Sequence, residues 1–274
     1  LSLLIAVYSV SRPGAMSGVK YFLVPNLENF SWMTVVSAMG QMFYSLSIAM
    51  GILITFGSYM KKDTSIEDST QNVEIFDTAI AIMAGLMIIP AVFAFSGGDP
   101  DTLQAGPALM FITIPKVFAS MGLGAAVGTL FFILVLFAAV TSSIALTESA
   151  VSTFEDELHW SRKKATVFMA VIMILLGTLS CLGYGPLSGV TVIGMQFLDF
   201  FDFLTNSVMM PIAAIATCLL VSKVIGVAKI EQEVTDGGHP FRRKVIFQFM
   251  IQYLCPIFAA IILISSVANA FGWI

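Results

Sequence analysis

Oxygen-bearing side chains without full charge gather in the middle of two long apolar stretches of this 274-residue chain, an arrangement able to hold a monovalent cation. The first is GQMFYSLSIAMG, Gly40 to Gly51, where Gln41, Ser45 and Ser47 are bracketed by glycines. Glycine costs about 1 kcal/mol in a helix interior and serine hydroxyls compete for backbone groups, so this segment could open and present carbonyls to a cation. Discontinuous helices at the bilayer midplane are how many secondary transporters bind substrate and ions. The second is AAVTSS, Ala138 to Ser143. Thr141 and Ser142 follow Ala138 by three and four residues, so on a helix both hydroxyls and the Ala138 carbonyl project to one face. Such neutral oxygens suit a weakly held monovalent ion, whereas hard divalent cations recruit carboxylates. Taken singly, each segment also reads as small-residue helix packing, with hydroxyls bonded back to their own turn.

Four acids, Asp77, Glu148, Asp199 and Asp202, also fall within apolar stretches, where an ionisable group is costly and usually functional. Asp77 is expected near the start of its helix, where the dipole favours a negative charge. Asp199 and Asp202 lie one turn apart in FLDFFDFLTN and so share a face. With no partner opposite them in view, one of the two is expected to reach a group outside the chain.

The elements that must position these residues are membrane spans. The chain is 58% hydrophobic and 11% charged, whereas soluble domains carry about 25% charged residues, too few here to cover a water-exposed surface. Its 23 Phe and 16 Met suit lipid-facing helices and adaptable helix contacts. Hydropathy marks apolar stretches at Ser31 to Tyr59, Phe76 to Phe95, Leu123 to Phe154, Ala165 to Leu182, Val190 to Val224 and Val245 to Phe271. The opening LSLLIAVYSV is too short to span a core that needs about 20 residues, so the chain is expected to begin partway through a helix and to be the C-terminal part of a longer protein.

Alternating the connections puts Lys61, Lys62, Arg162, Lys163, Lys164, Lys223, Lys229, Arg242, Arg243 and Lys244 on one side and only Arg12, Lys20 and Lys116 on the other. By the positive-inside rule, Lys61 to Glu74, His159 to Lys164 and Lys223 to Lys244 are cytoplasmic. Trp32, Trp160 and Trp273 sit within a few residues of span ends, at headgroup level. Two connections, Ser11 to Phe30 and Ser96 to Gly122, are long, punctuated by glycine and proline, and placed outside, the second as a re-entrant or capping hairpin. The net charge of -4 carries little information, and no basic patch for nucleic acid exists. Cys181, Cys218 and Cys255 stand alone in separate apolar stretches, without metal-site or disulfide spacing, and read as small buried hydrophobes.

In order along nearly the whole chain, these segments resemble the neurotransmitter:sodium symporter family, which has the LeuT-like fold. GQMFYSLSIAMG resembles its unwound sixth helix, LFAAVTSSIAL its eighth helix, FEDELHWSRKKA the loop that follows, and GPALMFITIPKVF its fourth extracellular loop. The resemblance implies an all-α integral membrane fold with a broken helix near residues 44–51. It also implies one polytopic membrane domain over residues 1–274, running from the end of the fifth family helix through the eleventh. The implied activity is sodium-coupled symport of an amino acid or small amine across the cytoplasmic (inner) membrane.

Carried over residue by residue, Ser45 and Asp77 match positions holding one sodium, and Ala138, Thr141 and Ser142 the eighth-helix half of a second sodium site. Tyr44, Ser45, Ser47, Met50, Ser142 and Leu146 match the substrate pocket, Gln41 and Asp202 the outer gate, and Tyr59 and Asp156 the inner gate. An arginine from the N-terminal part of the family fold is expected to pair with Asp156. That part, which also supplies the first helix, is the implied partner, with the amino-acid substrate and the lipid bilayer. Met50 stands where many members have Phe, Asp77 where many have Asn, and Ala81 where others carry a chloride ligand or a substituting carboxylate. A fixed charge at Asp77 could compensate sodium in place of chloride, so chloride independence is expected. Two other function classes fit less well. An intramembrane aspartyl protease lacks its Gly-x-Gly-Asp context, and a channel would need repeated polar rings rather than a midplane cluster.

Overall fold

The structure, a computed structural model, describes residues 2–98, 106–120 and 122–273. These residues are helical apart from turns and one isolated bridge, Val192 with Met195. The helices are α1 Ser2–Val10, α2 Ala15–Leu23, α3 Trp32–Ser45, α4 Ile52–Ser58 and α5 Ile66–Ser96, followed by α6 Gly106–Ala119, α7 Gly124–Leu158 and α8 Arg162–Gly183. Then come α9 Phe197–Ile225, α10 Val227–Thr235 and α11 Lys244–Ala270. Five of them, α5, α7, α8, α9 and α11, are long and apolar enough to cross a bilayer. The Ser31 to Tyr59 stretch is interrupted into α3 and α4.

Local sequence sets the boundaries. Ser31 and Thr34 form a reciprocal capping box that starts α3. Ser65 Oγ accepts the Asp68 amide and Glu67 and Asp68 fill the first turn, which starts α5 ten residues ahead of the hydropathy boundary at Phe76. Asp77 is therefore interior to its helix, and the expectation that it stands at the helix start is corrected. The dipole's influence fades beyond the first turn. The span expected from Val190 begins at Phe197 instead. Ile193 and Gly194 adopt left-handed φ values of 53° and 77°, and Val192 and Met195 exchange both backbone hydrogen bonds around them.

Among the described residues four stretches widen to π-helical spacing, and three of them share a position just ahead of a proline. Leu109–Thr113, Phe203–Met209 and Met250–Leu254 each precede a proline by two residues, namely Pro115, Pro211 and Pro256. Proline lacks the N–H for the carbonyl four residues back and its ring crowds that carbonyl, so the preceding turn opens by one residue. The fourth, Leu220–Ile225, ends at Gly226, whose φ is 84°.

The chain divides into two compact units, Leu1–Phe30 with Val73–Ser143, and Ser31–Asn72 with Ile144–Ile274. In the first, Ile5 and Ala6 pack with Met87, Ala91 and Val92 of α5, Ile114, Val117 and Phe118 of α6, and Phe131 of α7. Residues 99–105 and 121 of the expected outside hairpin lie outside the described residues, whereas 106–119 form α6. In the second unit, Phe43 of α3 packs with Met210 and Ala214 of α9 and Ala259 and Ile262 of α11. The apolar windows of α7 and α8 are only 6% buried within the protein, so their exposed Leu, Ile and Phe side chains need an apolar solvent. The cysteines are free, with Cys218 buried as expected but Cys181 exposed, a position a weakly polar thiol tolerates in lipid.

Candidate functional site

The break lies where the glycine-bracketed segment is. Helix α3 ends at Ser45, α4 begins at Ile52, and between them Ser47, Ala49 and Gly51 take left-handed φ values of 55°, 63° and 80°. For the two non-glycine residues this conformation costs roughly 1–2 kcal/mol each, strain that persists only where surrounding contacts fix it. Those contacts are present: Ile48, Ala49 and Met50 pack on the Phe43 core, and the Ile48 amide closes back on the Phe43 carbonyl at 2.9 Å. Gly51 has no room for a side chain, since a Cβ there would lie 2.6 Å from Ser149 Oγ. Ser149 is buried and donates to the Met50 carbonyl at 3.4 Å, while the Thr55 hydroxyl donates to Ser149 at 3.5 Å. Spacing in the sequence could not reveal that α7 serine, which belongs to a helix some hundred residues on.

Around the break, Tyr44 and Ser45 are exposed and Ser47 and Met50 half-buried. Gln41 and Asp202 line one cavity of about 450 Å³ together with Tyr44, Ser37, Asn206 and Asn269. The structure thus brings both outer-gate candidates and one substrate-pocket candidate to a single polar-walled space. Asp202 accepts a short hydrogen bond from Asn206, one turn along α9. Asp199 faces Tyr184, whose hydroxyl approaches it at 3.5 Å. Burial, reinforced by the Asp199 charge, raises the Tyr184 phenol above its ordinary value, which keeps it a proton donor. Both acids therefore have local partners within the second unit.

On α7, the Thr141 hydroxyl donates to the carbonyls of Phe137 and Ala138 at 2.9 and 3.0 Å. That is the back-bonding of the simpler reading, yet the proton is used and the oxygen lone pairs stay available to a cation. Ala138, Thr141 and Ser142 are all exposed, and Leu146, also exposed, follows Ser142 by one helical turn. Asp77 and Ala81 occupy successive turns of α5, with Asp77 half-buried. Ser45 belongs to the second unit and Asp77 to the first.

At the far end of α4, the Tyr59 hydroxyl donates to Glu148 Oε1 at 2.8 Å, and Arg162 forms a short ion pair with the same carboxylate and a longer one with Glu155 at 3.3 Å. Glu148, an acid without an evident partner in the sequence, thus joins α4, α7 and the start of α8. Tyr59 is paired with Glu148 rather than brought to Asp156, which is exposed. Nearby, the Asp63 carbonyl meets His239 at 3.0 Å and Glu67 meets the amides of Arg242 and Arg243. Connections rich in basic residues are thereby gathered on one side of the second unit, as the alternation of spans requires.

A multi-pass helical membrane protein with one span broken over strained backbone is thus defined by fold and site. Residues 1–272 match the description Sodium:neurotransmitter symporter family, and the chain belongs to that family, one of transporters and not of enzymes. It is 30% identical over 270 residues to the uncharacterized sodium-dependent transporter YhdH of Bacillus subtilis, covering 97% of this chain and 58% of that protein. It is also 30% identical to an uncharacterized sodium-dependent transporter of Haemophilus influenzae, over 95% of this chain and 56% of the other. Among solved structures, MhsT in complex with L-phenylalanine superposes with a TM-score of 0.84 at 33% identity, over 97% of this chain and 59% of MhsT. The LeuT-like reading and the broken helix near residues 44–51 agree with these findings. The chain spans a little over half the length of these relatives.

Proposed function

We propose that this chain forms part of a sodium-coupled symporter that carries an amino acid or related small amine across the cytoplasmic membrane, without a requirement for chloride. The observation that carries the proposal is the break at residues 46–51, strained backbone held in place by packing inside an otherwise apolar span. In a span, irregular backbone is tolerated only where it is buried in protein or lines a polar cavity. Tyr44, Ser45, Ser47, Met50, Ser142 and Leu146 are the proposed substrate-pocket residues, and the phenylalanine bound by MhsT makes that amino acid the first to test. Ser45 with Asp77, and Ala138 with Thr141 and Ser142, are the proposed sodium ligands. Gln41 with Asp202 gate the outer side, and Tyr59 and Asp156 the inner side, where Tyr59 is held by Glu148 and Arg162.

The family match over residues 1–272 supports a single polytopic membrane domain. The portion of the relatives outside the match is proposed to complete the sites. Sodium-driven uptake of labelled phenylalanine and other neutral amino acids by the full-length transporter in liposomes tests this reading. A Thr141→Ala, Ser142→Ala double variant is expected to need more sodium for half-maximal uptake, a loss on the order of 1–3 kcal/mol per ligand removed. Unchanged sodium dependence would remove these residues from the site.

A further inference from the structure

We infer that Glu67 is a positioning residue for transport: its carboxylate clasps the cytoplasmic start of α11 to the connection that follows the broken span. The inference rests on the symport reading. Glu67 lies in the first turn of α5, half-buried, and its two oxygens accept the backbone amides of Arg242 and Arg243 at 2.8 and 3.1 Å. Both amides precede α11, where a helix leaves its first N–H groups without internal partners. A carboxylate is matched to two adjacent donors of this kind, because it offers two acceptor oxygens and a negative charge to the positive end of the helix. A second bond closes the clasp from the other side, between the His239 ring and the Asp63 carbonyl at 3.0 Å.

What the clasp joins gives it a role. Asp63 belongs to the short connection leaving α4, the second half of the broken span, and Glu67 to the first turn of α5 that follows it, so holding them tethers the cytoplasmic end of α4. Further along, α11 packs through Ala259 and Ile262 against Phe43 of α3, in the core that also receives Ile48, Ala49 and Met50. One helix thus holds the break in its middle and the end of α4 at its start. For α4 to swing and open a cytoplasmic path, the clasp must part or α11 must tilt with it. Glu67 therefore sets how readily the clasped arrangement gives way.

The test compares the full-length transporter with its Glu67→Gln and Glu67→Ala variants. Glutamine keeps the length but offers one acceptor oxygen, and alanine offers none. Hydrogen exchange measured on peptides spanning residues 240–247 is expected to quicken in the order wild type, Gln, Ala, by about tenfold for alanine. Equilibrium binding of labelled phenylalanine in sodium is expected to weaken in the same order, by about threefold or more for alanine, as the clasped arrangement loses population. Unchanged exchange in Glu67→Ala overturns the clasp. Faster exchange with unchanged binding and uptake, at a normal thermal midpoint, reduces Glu67 to a structural cap and overturns the positioning role. If Glu67→Ala does not fold, the Gln variant decides by the same criteria. A wild type that binds no amino acid in sodium refutes the symport reading and the coupling with it, while the exchange measurement still reports whether the clasp exists.

Discussion

Replacing Gly51 by alanine asks the junction between α3 and α4 for two things it lacks, a backbone free of left-handed strain and space for a methyl group. At φ 80° and ψ -20° the backbone is left-handed, which costs an L-residue roughly 1–2 kcal/mol. The new Cβ would fall 2.6 Å from Ser149 Oγ, well inside the 3.5–4.0 Å of a comfortable contact. Ser149 cannot simply turn away, because it is buried and bonded to Met50 and Thr55. Overpacking of this kind costs about 1–3 kcal/mol, so Gly51→Ala is expected to destabilise by about 2–5 kcal/mol in total.

A double-mutant cycle with Ser149→Ala separates the two contributions. Removing the hydroxyl relieves the clash but not the backbone strain, so the coupling between the sites should be favourable by about 1–3 kcal/mol. The assay is the unfolding midpoint of each purified variant in one detergent, with the double variant falling between wild type and Gly51→Ala once the cost of Ser149→Ala alone is subtracted. A Gly51→Ala variant as stable as wild type would refute the left-handed junction. A double variant no better than the single would refute the contact with Ser149.

Two further predictions concern charge and helix geometry. Asp77→Asn is expected to weaken apparent sodium affinity by at least about tenfold, because a carboxylate roughly 4 Å from the ion is worth on the order of 4 kcal/mol at an effective dielectric of 20. Uptake by wild type is expected to be equal in chloride and gluconate, and an Asn variant with normal sodium affinity would rule out charge compensation. Pro211→Ala restores a missing amide donor, so Phe203–Met209 is expected to close to α spacing; a structure of the variant that keeps the wide turn would show that proline is not its cause.

The sequence discloses the break because two glycines and two serines in an apolar span depart from helix-forming chemistry in a way that one dimension records. It does not disclose that Ser47 and Ala49 take up left-handed conformations, since neither residue type favours them and the packing of Ile48–Met50 imposes them. Hydropathy placed the start of α5 at Phe76 because IEDSTQNVE is polar; a water-exposed helical extension carries no apolar signal, only the Ser65 cap and the acids of the first turn. The pairing of Glu148 with Arg162 and Tyr59 depends on how α4, α7 and α8 approach one another, which sequence separation does not encode. The same holds for Glu67 and the amides before α11. Prolines mark the wide turns only in part: Pro115, Pro211 and Pro256 each follow one, whereas Pro90 lies inside α5 without one and Leu220–Ile225 widens with no proline after it.

The measurement that bears most directly on the symport reading is equilibrium binding of labelled L-phenylalanine to the purified full-length transporter, with sodium titrated against a constant background of potassium. Binding that rises with sodium, needs no chloride, and shifts to higher sodium in the Thr141→Ala, Ser142→Ala variant is the predicted result. Binding of phenylalanine and other neutral amino acids that is indifferent to sodium would contradict it.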